Sequence, residues 1–186
     1  MITIGEGSMI AAWALVLGGL ARVAGEIIEL LAGRHTGPSG LLAALGLLLV
    51  VIGFTGLWTD VRTSRLGRAA VILIAVGALV FVGVAIWSVS QGTLPIGEVA
   101  RTPQFIGAAA TTFVGALCLA AWLVTSSVYP RWIGLVMSAA IGLSLVSSFV
   151  ALPSLVQPLI DMVMALTFIQ LGLSMAERRK RHRADP

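Results

Sequence analysis

Charged residues are scarce in this sequence of 186 residues, where 11% are Asp, Glu, Lys or Arg and 58% are hydrophobic. A soluble domain of this length needs far more charged surface to cover its core, so the composition, with a mean hydropathy of +1.02, excludes that class. A lipid bilayer, in contrast, accepts an apolar exterior when helices satisfy the backbone hydrogen bonds. Alternating polar and apolar strands are also absent, and the sequence therefore predicts an all-α membrane protein.

Cysteine and histidine are nearly missing as well. Cys118 is the only cysteine and lies within an apolar run, which excludes an internal disulfide and a cysteine metal cluster. We expect it to pack in the core. The two histidines, His35 and His182, are far apart in the sequence and complete no ligand set for zinc or haem. No metal and no cofactor is therefore predicted.

Six apolar stretches are long enough to cross a hydrocarbon layer of about 30 Å, which takes about 20 helical residues. Short connections rich in glycine and proline separate them. The predicted spans are roughly 9–32, 39–59, 69–90, 105–126, 132–151 and 156–176. We therefore predict one domain, residues 1–176, which is a polytopic bundle of six transmembrane helices, followed by a basic tail, residues 177–186.

The basic residues predict the orientation of this bundle. Most of them fall on one side of the six-span layout, namely Arg62, Arg65, Arg68, Arg131, Arg178, Arg179, Lys180, Arg181 and Arg183. The other side has only Arg34 and Arg101. By the positive-inside rule, both termini lie in the cytoplasm, and we predict a multi-pass protein of the inner (plasma) membrane.

The basic tail has two interpretations. Such a run after a final span ordinarily fixes topology. Cations at a membrane surface also attract anionic lipid headgroups, by about 1 kcal/mol each, so headgroups are possible partners besides the bilayer itself. The isoelectric point near 10.6 comes largely from this tail, and nucleic acid is not predicted as a partner.

Small residues recur at four-residue spacing on the fourth and fifth spans, which is typical of close helix packing. They are Ala108, Thr112, Ala116 and Ala120, and then Gly134, Ser138 and Gly142. The pattern fits contacts within one bundle and contacts in a homo-oligomer equally well.

The first span is unusual because Arg22, Glu26 and Glu29 recur on one stripe of its helix, at i, i+4 and i+7. Its aliphatic residues and its charges nearly cancel on an insertion scale, so we expect this span to need partner helices. At 1.5 Å per residue, Arg22 lies about 10 Å deeper than Glu29. Asp161 of the last span and Ser147 of the fifth also fall in the outer half. Because charges at such depth face protein or water, we predict a binding site formed by Arg22, Glu26, Glu29 and Asp161 that opens outward.

Three functions remain open at this stage. The preferred one is a small-molecule or proton-coupled transport or binding bundle, because one arginine cannot neutralise both Glu26 and Glu29. The second is a membrane-embedded enzyme that uses a buried carboxylic acid on a lipid-soluble substrate. The third is a structural or regulatory subunit in which Arg22 and Glu26 only hold helices together. Asp60, at the inner end of the second span, is predicted to pair with the basic loop that begins at Arg62.

The segment 37–40, Gly-Pro-Ser-Gly, matches the GxSG pattern around the nucleophile of rhomboid proteases, which also have a six-helix core. That family needs a histidine base on a later membrane helix, whereas His35 and His182 lie in a loop and in the tail. We therefore interpret the segment as a turn in which Ser39 caps the second span.

Residues 128–134, Val-Tyr-Pro-Arg-Trp-Ile-Gly, resemble the PRWLG signature of a family of small actinobacterial and other bacterial membrane proteins of unknown function. Residues 21–25, Ala-Arg-Val-Ala-Gly, are similar to the RIAG opening of the first helix in that family. The resemblance covers the first span and the last two. It implies a multi-span bundle, in a family whose members often have one more span, with Arg22 and Arg131 as framework residues.

Overall fold

The computed structural model describes residues 4–33, 36–90, 103–150 and 155–184, and these residues form six helices and no strands. The helices are α1 Ile4–Ala32, α2 Gly37–Val61, α3 Arg65–Ser90, α4 Pro103–Thr125, α5 Arg131–Phe149 and α6 Val156–Ala184. Each of the six predicted stretches is therefore helical, and the prediction of an all-α protein is confirmed. α6 continues past the predicted end of its span at residue 176 and includes most of the basic tail.

Four of the described helices, α2, α3, α4 and α6, are long and apolar enough to cross a membrane. The apolar part of α5, Arg131–Ser147, is shorter. Large apolar side chains are exposed along all six helices, for example Leu17, Leu45, Leu79 and Leu135. Such a surface is unfavourable in water and well solvated by lipid. The described helices are thus compatible with an integral membrane protein.

The helices form a ring in sequence order. Each helix packs against the next one along the chain, and α6 packs against α1, which closes the ring. α1 consequently lies between α2 and α6. We call the end of the bundle at which α2 joins α3 and α4 joins α5 the inner end, and the opposite end the outer end.

Glycines allow α1 to approach both neighbours closely. A Cβ atom at Gly18 would lie 2.8 Å from the carbonyl oxygen of Gly46 on α2, and one at Gly19 would lie 2.7 Å from that of Ala165 on α6. Cβ atoms do not approach oxygens so closely, so only glycine permits these backbone contacts. The span that carries the charges thus packs between two partner helices.

The stripes of small residues on α4 and α5 differ in how much of each one packs against another helix. On α3, a Cβ atom at Gly77 would lie 2.9 Å from the carbonyl oxygen of Ala108, so the α4 stripe packs inside the bundle. At the inner end of α5, a Cβ atom at Gly134 would lie 2.7 Å from the carbonyl oxygen of Ala120. A Cβ atom at Gly142 would meet no atom of another described element within 4 Å. A homo-oligomer stays a prediction.

The continuous hydrophobic core occupies the inner half of the bundle. It includes side chains of α2 within 50–61, of α4 within 116–123 and of α6 within 168–176, all in the halves nearer the inner end. In the outer half, Cβ atoms at Gly107 and Gly142 would meet no described atom of a neighbouring helix within 4 Å. The continuous buried core therefore lies nearer the inner end.

The prediction that Ser39 caps the start of α2 is wrong. Thr36, and not Ser39, is the N-cap residue. The Thr36 Oγ1 atom accepts a hydrogen bond from the Ser39 backbone N–H at 3.2 Å, and the Ser39 Oγ atom accepts one from the Thr36 N–H at 3.0 Å. This reciprocal pair satisfies two backbone donors that the helix leaves free, which gives Ser39 a structural role.

Some sequence predictions fall on parts of the chain that the structure does not describe. Arg34, His35 and Arg101 lie outside the described residues. For His182 and Arg183 the structure describes the helical backbone of α6 and not the side chains.

Candidate functional site

The structure brings the predicted site residues together in the outer half of the bundle. The charges of Asp161, Arg22 and Glu29 all lie within electrostatic range of the Glu26 carboxyl group. The Glu26 residue is only 9% exposed. Because Asp161 belongs to α6, this outer cluster, which we define as Arg22, Glu26, Glu29 and Asp161, joins the first and last helices.

Arg22 lies against α2. A Cβ atom at Gly46 would lie 2.6 Å from the Cγ atom of Arg22, so the absence of a side chain at Gly46 leaves room for the arginine stem. The Arg22 Nε atom is buried and has no hydrogen-bond partner among the described residues. Its position places a positive charge at the inner edge of the outer cluster.

Polar side chains extend the outer cluster towards α5. The Gln157 amide nitrogen donates to the two Asp161 carboxylate oxygens over long distances of 3.4 and 3.3 Å. The Ser147 hydroxyl donates to the Gln157 Oε1 atom at 2.9 Å. Ser147, which was predicted to lie in the outer half, is therefore connected to the outer cluster through Gln157. Gln157 was not predicted to take part in this site.

The described residues contain no group of three His, Cys, Asp or Glu side chains placed to hold a metal ion. Glu26 lies on α1 and Asp161 lies on α6, and the negative charges of their carboxyl groups repel each other across the interface of these two helices.

A second cluster lies at the inner end and centres on Asp60, whose side chain is 8% exposed. The Tyr129 hydroxyl donates a hydrogen bond of 2.6 Å to Asp60 Oδ2. Arg178 Nη1 lies 3.2 Å from Oδ1, and Arg179 Nη2 lies 3.2 Å from Oδ2. Arg179 also donates to the Thr59 hydroxyl at 2.8 Å. We call Asp60, Tyr129, Arg178 and Arg179 the inner cluster.

The inner cluster connects three parts of the chain. Asp60 lies at the end of α2, Tyr129 in the connection between α4 and α5, and the two arginines on the extension of α6. The Tyr129 ring packs edge-on against Trp122, with 5.9 Å between ring centroids, and the Arg178 guanidinium lies 5.9 Å from the Tyr129 ring centroid. These contacts hold the inner ends of α2, α4 and α6 together.

The inner cluster corrects the predicted partner of Asp60. Its described ion pairs are with Arg178 and Arg179 of the tail, whereas Arg62 of the predicted loop is exposed. The contact between Tyr129 and Asp60 was not predicted from the sequence either. Tyr129 is a polar residue between two spans, on the same side of the bundle as Asp60, and this was the one signal of a contact. The two residues are 69 positions apart in the sequence, so the sequence does not show that they are neighbours.

Comparisons of this chain with protein-family models, with curated proteins and with solved structures found no match. A function can therefore be inferred only from the geometry of the two clusters. The outer cluster concentrates carboxyl groups in the outer half of the bundle, and the inner cluster concentrates arginines at a helix end.

Tyr129 offers a direct test of the inner cluster. Burial first, and then the hydrogen bond to Asp60, raise the pKa of the Tyr129 hydroxyl well above its ordinary value of 10.0. The neutral phenol therefore stabilises the fold up to about pH 10, and this contribution is lost as the pH rises further, because the phenol of the unfolded chain ionises first.

The sequence contains a single tyrosine and five tryptophans, which do not ionise, so the rise in ultraviolet absorbance on tyrosinate formation reports on Tyr129 alone. We expect the folded protein to show no tyrosinate until the pH is well above 10, and the denatured chain to titrate near 10. Coincident titration of the folded and denatured protein would contradict the burial of this hydroxyl.

Proposed function

We propose that this chain is a six-span protein of the inner membrane with both termini in the cytoplasm, and that it binds or transports a small solute with the outer cluster as its site. In this proposal a proton or a small monovalent cation occupies the site together with, or as, the solute. α1 and α5 complete the six spans with the four helices that are long and apolar enough on their own.

The observation that carries the proposal is that the charges of Glu26 and Asp161 lie within electrostatic range of each other across the interface of α1 and α6. The outer cluster contains three acids and one arginine, Arg22, so a further cation or a proton would offset the repulsion between Glu26 and Asp161. Their position on different helices also means that occupancy of the site changes the attraction between α1 and α6. Such coupling between a bound ion and helix packing is what a transport or binding bundle requires.

The position of the core supports transport in particular. The continuous core lies nearer the inner end, and the inner cluster holds three helices together there. The outer cluster lies in the other half of the bundle. A bundle that is closed at its inner end, with its site in the outer half, corresponds to an outward-facing arrangement.

Infrared spectroscopy of the purified protein in lipid tests the occupancy of the outer cluster. We expect a protonated-carboxyl band near neutral pH that Glu26→Gln removes and that sodium or potassium ions weaken in the wild type. Asp161→Asn should alter the same band, because the two carboxyl groups share one environment. Glu177→Gln, which changes an exposed acid on α6, is the matched control and should leave the band unchanged.

A wild-type spectrum near neutral pH that lacks this band both with and without sodium or potassium ions would contradict the proposal. The second candidate, a structural subunit, is favoured by the packing of Arg22 against Gly46. In that case Glu26→Gln should lower the thermal stability of the protein with no change in the infrared response to cations. The resemblance that makes Arg22 a framework residue fits this second candidate.

A further inference from the structure

A groove of about 320 Å³ lies at the inner end, between the connection of α4 to α5 and the extension of α6. Residues 128–130 form one side of it, and Ser174, Glu177, Arg178 and Arg181 form the other. Its volume is within the range of sites that hold small ligands or headgroups. The outer cluster plays no part in this groove.

Positive charge is in excess around the groove. Arg178 and Arg179 share one carboxylate, that of Asp60, so one of their two charges is left without compensation in the inner cluster. Arg181 adds another cation on the groove wall. The acid among the lining residues, Glu177, is exposed at the rim. The groove therefore favours an anionic ligand.

Arg178 also has unused hydrogen-bonding capacity. Its Nη1 atom lies 3.2 Å from Asp60 Oδ1, yet it is buried and makes no aligned hydrogen bond with any described residue. A buried guanidinium nitrogen without a hydrogen bond is unfavourable. The Arg178 side chain as a whole is 36% exposed and lines the groove, and guanidinium groups bind phosphate with short, charge-assisted hydrogen bonds.

The location of the groove indicates where the phosphate comes from. Arg131 and Trp132, both exposed, begin α5 directly after the groove residues 128–130. Arginine followed by tryptophan at a helix end is typical of the headgroup level of a membrane. α6 passes through this level and continues as a charged helix. A ligand in the groove can therefore keep acyl chains in the bilayer and its headgroup among the arginines.

We propose that the groove binds the headgroup of an anionic phospholipid of the phosphatidylglycerol type. Arg178 and Arg181 hold the phosphodiester, and Ser174 and Glu177 accept hydrogen bonds from the glycerol hydroxyls. The sequence predicted only a general attraction between the tail and anionic headgroups, whereas the groove assigns one lipid to named residues. This inference rests on the membrane placement in the proposed function and not on the outer cluster.

Native mass spectrometry of the full chain, released from nanodiscs that contain phosphatidylglycerol and phosphatidylcholine, tests the site. We expect one phosphatidylglycerol to be retained per chain. Arg181→Ala should lower its retention by about tenfold, because it removes a charge-assisted contact. Lys180→Ala is the matched control, since it removes the same charge from the neighbouring exposed position, which is not part of the groove wall. It should retain the lipid.

An equal loss of lipid in Arg181→Ala and Lys180→Ala would overturn the proposal, because it would show a diffuse attraction to the tail. Equal retention of phosphatidylcholine and phosphatidylglycerol by the wild type would overturn it as well. Inorganic phosphate is the competing source of the same chemistry. Displacement of the lipid by millimolar phosphate would assign the groove to soluble phosphate and overturn the lipid assignment. None of these outcomes depends on Glu26 or Asp161, so the proposed function is tested separately.

Discussion

Replacing Asp60 with alanine is expected to lower the free energy of unfolding by about 3 kcal/mol. The substitution removes the one carboxylate shared by Arg178 and Arg179, and it leaves the Tyr129 hydroxyl without its acceptor. Removing one partner from a buried ion pair is costly because the remaining charge keeps its desolvation penalty and loses its attraction. Both arginine side chains are partly exposed to solvent, so the expected loss of stability lies at the lower end of the range for breaking a buried ion pair.

The measurement is a denaturant or detergent titration of the purified protein, followed by helical circular dichroism. Glu177→Ala serves as the control, since it removes an exposed acid from the same end of the bundle. We expect a change of less than about 0.5 kcal/mol for the control. Equal effects of the two substitutions would show that the inner cluster does not hold α2, α4 and α6 together.

Introducing a methyl group at Gly46 is expected to destabilise the bundle by about 2 kcal/mol. The new Cβ atom in Gly46→Ala would lie 2.8 Å from the Gly18 carbonyl oxygen and 2.6 Å from the Arg22 Cγ atom. The Gly18 backbone cannot move without separating α1 from α2. The displaced Arg22 would also leave its place beside the outer cluster, so the substitution affects packing and the candidate site together.

Gly142→Ala is the matched control for this second prediction. Both substitutions add one methyl group inside a helix and gain about 1 kcal/mol of helix propensity, but a Cβ atom at Gly142 meets no described atom of another element within 4 Å. We therefore expect Gly142→Ala to be neutral or stabilising in the same titration. A stability of Gly46→Ala equal to that of Gly142→Ala would contradict the close approach of α1 and α2.

Much of the fold could be predicted from the sequence because the signals are local. An apolar run of sufficient length predicts a helix wherever it occurs, and all six helices coincide with such runs. The charges of Arg22, Glu26 and Glu29 likewise identified α1 as a helix that needs partners. Counting residues from the end of its span predicted that Asp161 lies at a depth comparable to that of Glu29, and the structure places Asp161 in electrostatic range of Glu26.

The rest depended on contacts between distant segments. Asp60 and Arg179 are separated by 119 residues, and their pairing follows from the order of helices around the ring. Loop composition suggested the nearer cation, Arg62, because sequence proximity was the available guide. The extension of α6 brought Arg178 and Arg179 closer to Asp60, and a basic run with no apolar periodicity gives no signal for such an extension.

The closure of the ring has a consequence for the biosynthesis of the protein. Of the six described helices, α1 is translated before the others and α6 after them, yet these two helices pack together through Gly19 and Ala165. At about 5–20 residues per second, the interval between their synthesis is on the order of ten seconds. During that time α1 can pair only with α2 and the following helices, and its charged residues lack α6. The ring can close only after α6 has been synthesised, so the timing of α6 determines when α1 acquires its complete surroundings.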